Sequence, residues 1–362
     1  MKIAVLGGGH GCYAAAADLA EHGHDLTLWR RGSDKLAGLL ENKSIDLTDA
    51  AGTRSVVLHR VTDQLADAVA DAHIIIIPLP AVAQQDLAVR LAPLLRDDQV
   101  VYLPPGTFGS YLFARAMADC GNTSRVAFGE TGTLPYLARK KSETHVTISV
   151  RATRLPTGIF PARHSDWALP LLIQVFPAIE PLKDALDGAL MNAGPIIHPP
   201  LIMMNAGPLQ HFDAWDIHNE GTQPAIRAIT DALDNERIQL RQALGYGAPH
   251  FPLADHYDDS RDEWMYGNSS HEKLTDSGDW REKIDLHSHR YMREDLALGL
   301  VFYATLGDWA NVDMPLSKGL ISLASAVVGE DLIQGSRAWG SLGLGDMSKA
   351  ALGALLRDGI DQ

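Results

Sequence analysis

The chain is poor in cysteine, short of basic residues and without a long apolar run. Two cysteines in 362 residues, Cys12 and Cys120, leave no room for a disulfide framework and fit a reducing compartment, so a cytoplasmic location is expected. Lysine and arginine number 31 against 45 acidic residues, a net charge of −14. That balance argues against general nucleic-acid binding, and it means that an anionic ligand needs a locally basic pocket. No uninterrupted apolar stretch approaches the ~18 residues of a membrane span. The apolar start runs into glycines with no A-x-A-like site at signal-peptide spacing, so no secretion signal and no membrane partner are expected. No G-x-S-x-G elbow is present and neither cysteine has basic neighbours, which speaks against covalent catalysis. The 15 histidines, His271 and the His287-Ser288-His289 pair among them, show no H-x-x-x-H pair backed by acids, so no metal is expected. What is plentiful is apolar surface: 46% of residues are hydrophobic, enough for a large core and, at this length, two domains.

The first residues carry the clearest pattern. Lys2 to Leu6 reads as a buried parallel strand. Gly7-Gly8-Gly9-His10-Gly11-Cys12 follows at once, then a helix from Tyr13 to His22 built on Ala14 to Ala17, with Gly23 at its C-terminal cap. Asp25 to Trp29 is a second strand. A glycine turn between strand and helix is the phosphate-cradling unit of dinucleotide folds. Gly7 permits the turn, Gly9 lets a pyrophosphate approach, and the helix N-terminus faces it. The third glycine position holds Cys12, small enough, beside Gly11, for close helix–strand packing. The second strand ends in Arg30-Arg31 with no acid before Asp34. Arginine there pairs with a 2′-phosphate, so NADP(H) is read over NAD(H); the plainer reading is two solvent-exposed arginines.

Beyond this unit the pattern alternates. Helices are expected at Lys35–Glu41, Asp63–Ala72, Ala81–Leu95, Ser110–Asp119 and Asp166–Phe176. Strands are expected at His73–Ile77, Gln99–Leu103, Arg125–Phe128 and Thr144–Val150, with a strand pair or an excursion in Ser44–Arg60. This predicts an α/β domain with a parallel, doubly wound sheet of the Rossmann type. Ligands bind beyond the carboxyl ends of such strands. Pro78 and Pro80, Gly106, and Glu130 in Gly129–Thr133 are expected at those ends, lining the cofactor crevice. Pro177–Asp184 reads as least structured and marks the boundary, giving domains 1–183 and 184–362. The second domain reads as helical: Gln223–Leu244 with a charged face (Asp231, Asp234, Glu236, Arg237, Arg241), Glu294–Ala310, Leu316–Val328 and Met347–Arg357. His250–Asp285, broken by Gly267 and Gly278, reads as a long loop.

In that half His198 stands in an apolar setting before Pro199-Pro200, a position that favours extended backbone and an element end. It is either a general acid/base or a core histidine bonded to main chain. Asp295 either orients a catalytic histidine or merely caps a first helical turn. Arg290 is either a bidentate clamp for a carboxylate or a surface residue.

Val5 to Gly11, Gly129-Glu130-Thr131, Ile197-His198-Pro199-Pro200 with Asn205-Ala206, and Arg290-Tyr291 with Glu294-Asp295 and Gly299-Leu300 together resemble the octopine/nopaline (opine) dehydrogenase family. Within it the bacterial N-(1-carboxyethyl)-norvaline dehydrogenase type is the nearest in kind. The resemblance implies a Rossmann domain followed by an all-helical domain, with the substrate in the cleft between them. It implies that an amino acid and a 2-oxo acid condense to an imine, which hydride from the nicotinamide reduces. It places the family's catalytic histidine on His198 and its partner acid on Asp295, with Arg290 and Asn205 toward the substrate. His10 stands where the family's turn commonly has asparagine, which leaves its effect on phosphate contacts open. Arg30 stands where NAD-using relatives have an acid, in keeping with NADPH. Substrate choice is expected from Asn205–Asn219 and His250–Asp285, and a homodimer is expected. The other reading is a ketopantoate-reductase-like enzyme that needs no amine.

Overall fold

A computed structural model describes residues 1–32, 36–258, 260–261, 263–267 and 281–360. Asp34, Lys35, His271 and Gly278 lie outside the described residues. The chain forms two compact units, Met1–Ala189 together with Gly353–Gln362, and Leu190–Leu352. The first thus reaches six residues past the expected 1–183 and regains the C-terminal segment. Among the described residues no helix is long and apolar enough to cross a membrane.

The first unit begins as its sequence dictates. Strand β1 (Lys2–Leu6) leads into helix α1 (His10–Glu21) and strand β2 (Asp25–Trp29). The helix starts three residues earlier than expected, so Gly11 and Cys12 are helical. It ends in a Schellman closure: Gly23, at φ +83°, donates to Ala20 O, and His24 N donates to Leu19 O. Then follow α2 (Ala37–Asn42), the hairpin β3 (Ser44–Asp49) and β4 (Gly52–Val57), β5 (Arg60–Thr62), α3 (Leu65–Val69), β6 (Ile74–Ile76), α4 (Gln84–Leu91), β7 (Val100–Leu103), α5 (Gly109–Asp119) and β8 (Ala127–Thr131).

Strands β9 (Tyr136–Lys140), β10 (His145–Arg151), β11 (Leu155–Phe160) and β12 (Ile179–Pro181), with helices α6 (Ser165–Val175) and α7 (Ala185–Ala189), complete the unit. Its main sheet runs β12-β11-β8-β7-β6-β1-β2-β5. It is parallel except where β11 meets β8. The chain leaves β1 toward β2 and β5, then crosses back to β6 on the other side. The ends of β1 and β6 therefore flank the switch point where such sheets take their ligands. Ile74, Ile75 and Ile76 are wholly buried, each side chain contributing ~1.5–3 kcal/mol of transfer free energy. Gly129 to Thr131 lie inside β8 rather than beyond its end.

Three strands escape sequence periodicity. The boundary segment Pro177–Asp184 contains β12, which pairs with β11. β11 itself carries Pro156 and Gly158, poor strand residues. Gly158 is there because a Cβ would lie 1.8 Å from Asp184 O. β9 pairs with β10 in a second sheet, ordered β4-β3-β10-β9, which packs over α1. Polar contacts fasten it there: Tyr136 Oη donates to Asp18 at 2.9 Å, and Arg151 bridges Asp18 and Asp49. Arg54 joins Glu21 to Asp49.

The second unit is mainly helical: α8 (Gly194–Met204), α9 (Ala206–His211), α10 (Pro224–Ala243), α11 (Tyr291–Leu300), α12 (Val301–Ala310) and α13 (Pro315–Val328), with a small ribbon of β13 (Trp215–Asp216) and β14 (Arg281–Glu282). A last helix, α14, spans Lys349–Asp358. The charged face expected on α10 is mostly buried, with Asp231 exposed. Asp234, Glu236, Arg237 and Arg241 are all buried. Arg237 holds Asp234 at 2.6 Å and the carbonyls of Leu190, His250 and Phe251, and Glu236 caps α13 through Leu316 N and Ser317. The helix thus fastens the chain at His250 and Phe251, where the expected long loop begins.

Candidate active site

At the carboxyl end of β1 the backbone turns at Gly7, whose φ of +130° excludes a side chain in practice. A Cβ there would also strike Leu79 and Cys12 Sγ. Cys12 fills the third glycine position by packing inward, its thiol directed at Leu6 O and Pro78 O at 3.7 and 3.6 Å. Burial pushes that thiol up to about 12, so it is an inert packing group. Gly9 differs from Gly7. Its φ of −83° and ψ of −177° suit any residue, and a Cβ there would meet nothing within 4 Å. Nothing inside the protein requires a glycine at Gly9, and the space beside it is open. No side chain caps α1 and its first turn carries no acid, so its N-terminus suits an anion. These residues fit a dinucleotide pyrophosphate.

The other expected cofactor residues divide. Pro78 follows β6 beside Cys12, and Pro80 opens the short 3₁₀ turn Ala81–Ala83. Arg30 lies over the turn, its Nε 2.5 Å from where a Gly8 Cβ would be. Arg31 reaches away to Asp86 at 3.2 Å. Gly106 and Glu130 meet each other, a Gly106 Cβ falling 2.0 Å from the Glu130 side chain. The Glu130 carboxylate accepts from Phe108 N and from Ser110 N and Oγ, and so caps α5. His10 Nδ1 accepts from Lys140 N at 2.7 Å, tying β9 to the start of α1. Sequence reading missed Lys140. Its Nζ lies 3.8 Å from the Tyr13 ring centroid and 3.5 Å from Gly8 O. The basic run Arg139-Lys140-Lys141 was the available signal.

In the second unit His198 is inside α8, not at an element end. Pro199 and Pro200 continue the helix, although they supply no N–H to the carbonyls four residues back. Packing against α10 and α11 overrides the local preference. Helix α11 is wound with i to i+5 bonds, Val301 N reaching Leu296 O, a winding common at functional sites. Two glycines let α8 and α11 approach. A Cβ on Gly194 would lie 2.3 Å from Asp295 Oδ1, and one on Gly299 2.3 Å from Pro195.

The approach joins His198 and Asp295, Nδ1 to Oδ2, at 2.8 Å. The carboxylate is buried, 6% exposed, and the imidazole part-buried, 16% exposed. With Nδ1 on the carboxylate, Nε2 is the nitrogen left for chemistry. The Tyr291 ring stacks on the imidazole at 3.8 Å and 16°. His218, one turn past β13, sets its ring edge-on at 5.7 Å. Burial, then the positive field of Arg290, pushes His198 well down. Burial pushes Asp295 up to about 7, opposed by Arg290. The imidazole is therefore neutral near pH 7 and able to accept a proton.

Arg290 is half-exposed, 3.6 Å from Glu294 and over the Tyr291 ring. Asn205 is buried and fully engaged: its amide donates to Leu201 O and Gly221 O and accepts from Trp215 Nε1. Its visible work is to anchor the Ala206–Gly221 excursion that returns His218 to the site. Sequence reading gave Tyr291 no role and reached His218 only as part of the Asn205–Asn219 segment expected to set substrate choice.

A family model described as NAD/NADP octopine/nopaline dehydrogenase, alpha-helical domain, matches residues 181–328. One described as NAD-dependent glycerol-3-phosphate dehydrogenase N-terminus matches residues 2–104. An opine dehydrogenase of Arthrobacter sp. (strain 1C) is 27% identical over 357 residues, 96% of this chain and 97% of its own. Octopine dehydrogenase bound to NADH and agmatine superposes with a TM-score of 0.75 at 18% identity, covering 100% of this chain and 99% of the other. Yersinopine dehydrogenase with NADP+ gives 0.68 at 17%, covering 99% and 98%. The helical-domain match and the relatives aligned along nearly the whole length support the octopine/nopaline (opine) dehydrogenase family and indicate a pyridine-nucleotide-dependent oxidoreductase acting on CH–NH bonds.

Proposed function

We propose that this protein is an NADPH-dependent opine dehydrogenase. It joins the amino group of an amino acid to the carbonyl carbon of a 2-oxo acid, with loss of water, and the resulting imine is reduced to a secondary-amine dicarboxylate. The bound nicotinamide supplies the hydride. Gly7, Gly9 and the α1 N-terminus hold the pyrophosphate, and Arg30 faces the adenosine end. The observation that carries the reading is the bond between His198 Nδ1 and Asp295, 2.8 Å long and enclosed by two helices.

His198 Nε2 takes the proton that makes the incoming ammonium group a nucleophile, then returns it to the departing hydroxyl. In the reverse direction it accepts the proton of the secondary amine. Asp295 fixes the ring tautomer and stabilises the imidazolium while it lasts, a combination that contributes ~10²–10⁴-fold. Tyr291 keeps the ring in its plane, and Arg290 offsets the charge of two acidic substrates. Glu130 acts through α5, and Asn205 through the His218 segment. The reading includes a cytoplasmic homodimer, which light scattering would size at about twice 39.2 kDa.

The test is NADPH oxidation with a 2-oxo acid, with and without a panel of amino acids, repeated with NADH. Oxidation that requires both substrates and runs faster with NADPH supports the reading. Oxidation by the keto acid alone contradicts the condensation, and faster turnover with NADH contradicts the cofactor preference.

A further inference from the structure

We propose that Lys140, carried over the glycine turn by the second sheet, joins Arg30 in binding the adenosine 2′-phosphate of NADPH and is a specificity-determining residue of the cofactor site. The inference rests on the NADPH reading above and adds a residue that β2 and its flanking turn do not contain.

Arg30 is the first residue past β2, the position that faces the adenosine ribose in dinucleotide folds. Its guanidinium crosses Gly8, leaving no space for a Cβ there, and its charge acts on the Tyr13 hydroxyl. Lys140 arrives at the same place from β9. Its ammonium lies on the Tyr13 ring and within 3.5 Å of Gly8 O, and its backbone is pinned by His10 Nδ1. Two cations therefore flank one tyrosine beside one turn residue.

No ion pair joins Lys140 to a carboxylate among the described residues, and Glu143 acts on it only at longer range. Burial, then the Arg30 charge, lowers the Lys140 ammonium. Like charges so placed are relieved by an anion arriving between them. The pyrophosphate belongs at the α1 N-terminus, which leaves the 2′-phosphate as the anion at the β2 end. Arg31, the neighbouring candidate in sequence, extends instead to Asp86.

The test is equilibrium binding of NADPH, NADH, 2′,5′-ADP and 5′-AMP, by calorimetry, to the parent, K140M and K140R. K140M is expected to weaken NADPH and 2′,5′-ADP about tenfold, the scale of one charge-assisted phosphate contact, and to leave NADH and 5′-AMP within about twofold. K140R should restore most of the loss. Unchanged NADH affinity doubles as the control for folding; if K140M melts early, the same ratios are read in Lys140→Gln. Equal losses for NADPH and NADH would place Lys140 on the pyrophosphate and overturn the proposal, as would no loss. A parent that binds NADH more tightly would sink the NADPH reading separately, because the Lys140 contact is read from the change in the 2′-phosphate ratio and not from the parent's preference.

Discussion

The glycine turn and the His198–Asp295 pair are built by opposite means. The turn is made by consecutive residues, Gly7 to Gly9, between one strand and one helix. The pair joins residues 97 positions apart, and neither is distinctive where it stands. A cradle for phosphate needs only backbone, so local chain geometry suffices. A proton-transfer pair needs two side chains at hydrogen-bond distance in a dry place, which requires two helices to pack without intervening Cβ atoms. The first should tolerate change around it, and the second should depend on its support.

The largest effects are expected at the pair. His198→Ala should lower kcat by ~10²–10⁴-fold while NADPH affinity, measured by fluorescence titration, stays at the parental value. A loss of binding to match would erase the division of labour between the units. Asp295→Asn should lower kcat by at least ~10²-fold, since the amide admits the wrong tautomer. Arg237→Met comes next, and it concerns stability: it strands buried Asp234 and frees the carbonyls near His250. Urea unfolding should show a loss of ~3–5 kcal/mol; a loss below ~1 kcal/mol would contradict a buried ionic network on α10.

Gly194→Ala tests support directly. The added methyl would press on Asp295 Oδ1, so kcat should fall with an overpacking cost of ~1–3 kcal/mol, whereas Gly9→Ala, with open space around it, should raise the NADPH dissociation constant and leave the melting temperature alone. The smallest effect is in pH. Burial raises Asp295 to about 7 and depresses His198, so the pair loses its proton as pH rises through that value. The oxidative rate, which needs the pair deprotonated, should rise from pH 5 toward 8 with its inflection near 7, and the inflection should vanish in Asp295→Asn. A flat profile would show that the pair does not titrate in the rate-limiting step.

The same contrast explains what the sequence discloses. Strands β1 and β6 announce themselves because burial on both faces leaves continuous apolar runs. The strands β11 and β12 do not, because Pro156, Gly158 and Pro181 answer to neighbours such as Asp184 that are distant in sequence. Pro199 and Pro200 make His198 look terminal, and only packing keeps it helical. The charges of α10 read only as a charged face because periodicity does not distinguish a wet face from a buried ionic network. Family resemblance supplied His198 and Asp295 where residue chemistry left both open. It did not supply Tyr291, His218 or Lys140, whose roles exist only once separate segments meet.

The central claim is that the chain condenses an amine with a 2-oxo acid and reduces the product. Its most direct test is mass spectrometry of the product formed from NADPH, an unlabelled 2-oxo acid and a ¹⁵N-amino acid drawn from whichever pair turns over. The account predicts one secondary amine that retains ¹⁵N, carries both carboxylates and has lost the keto oxygen as water. A 2-hydroxy acid that keeps that oxygen, beside unchanged amino acid, would contradict it.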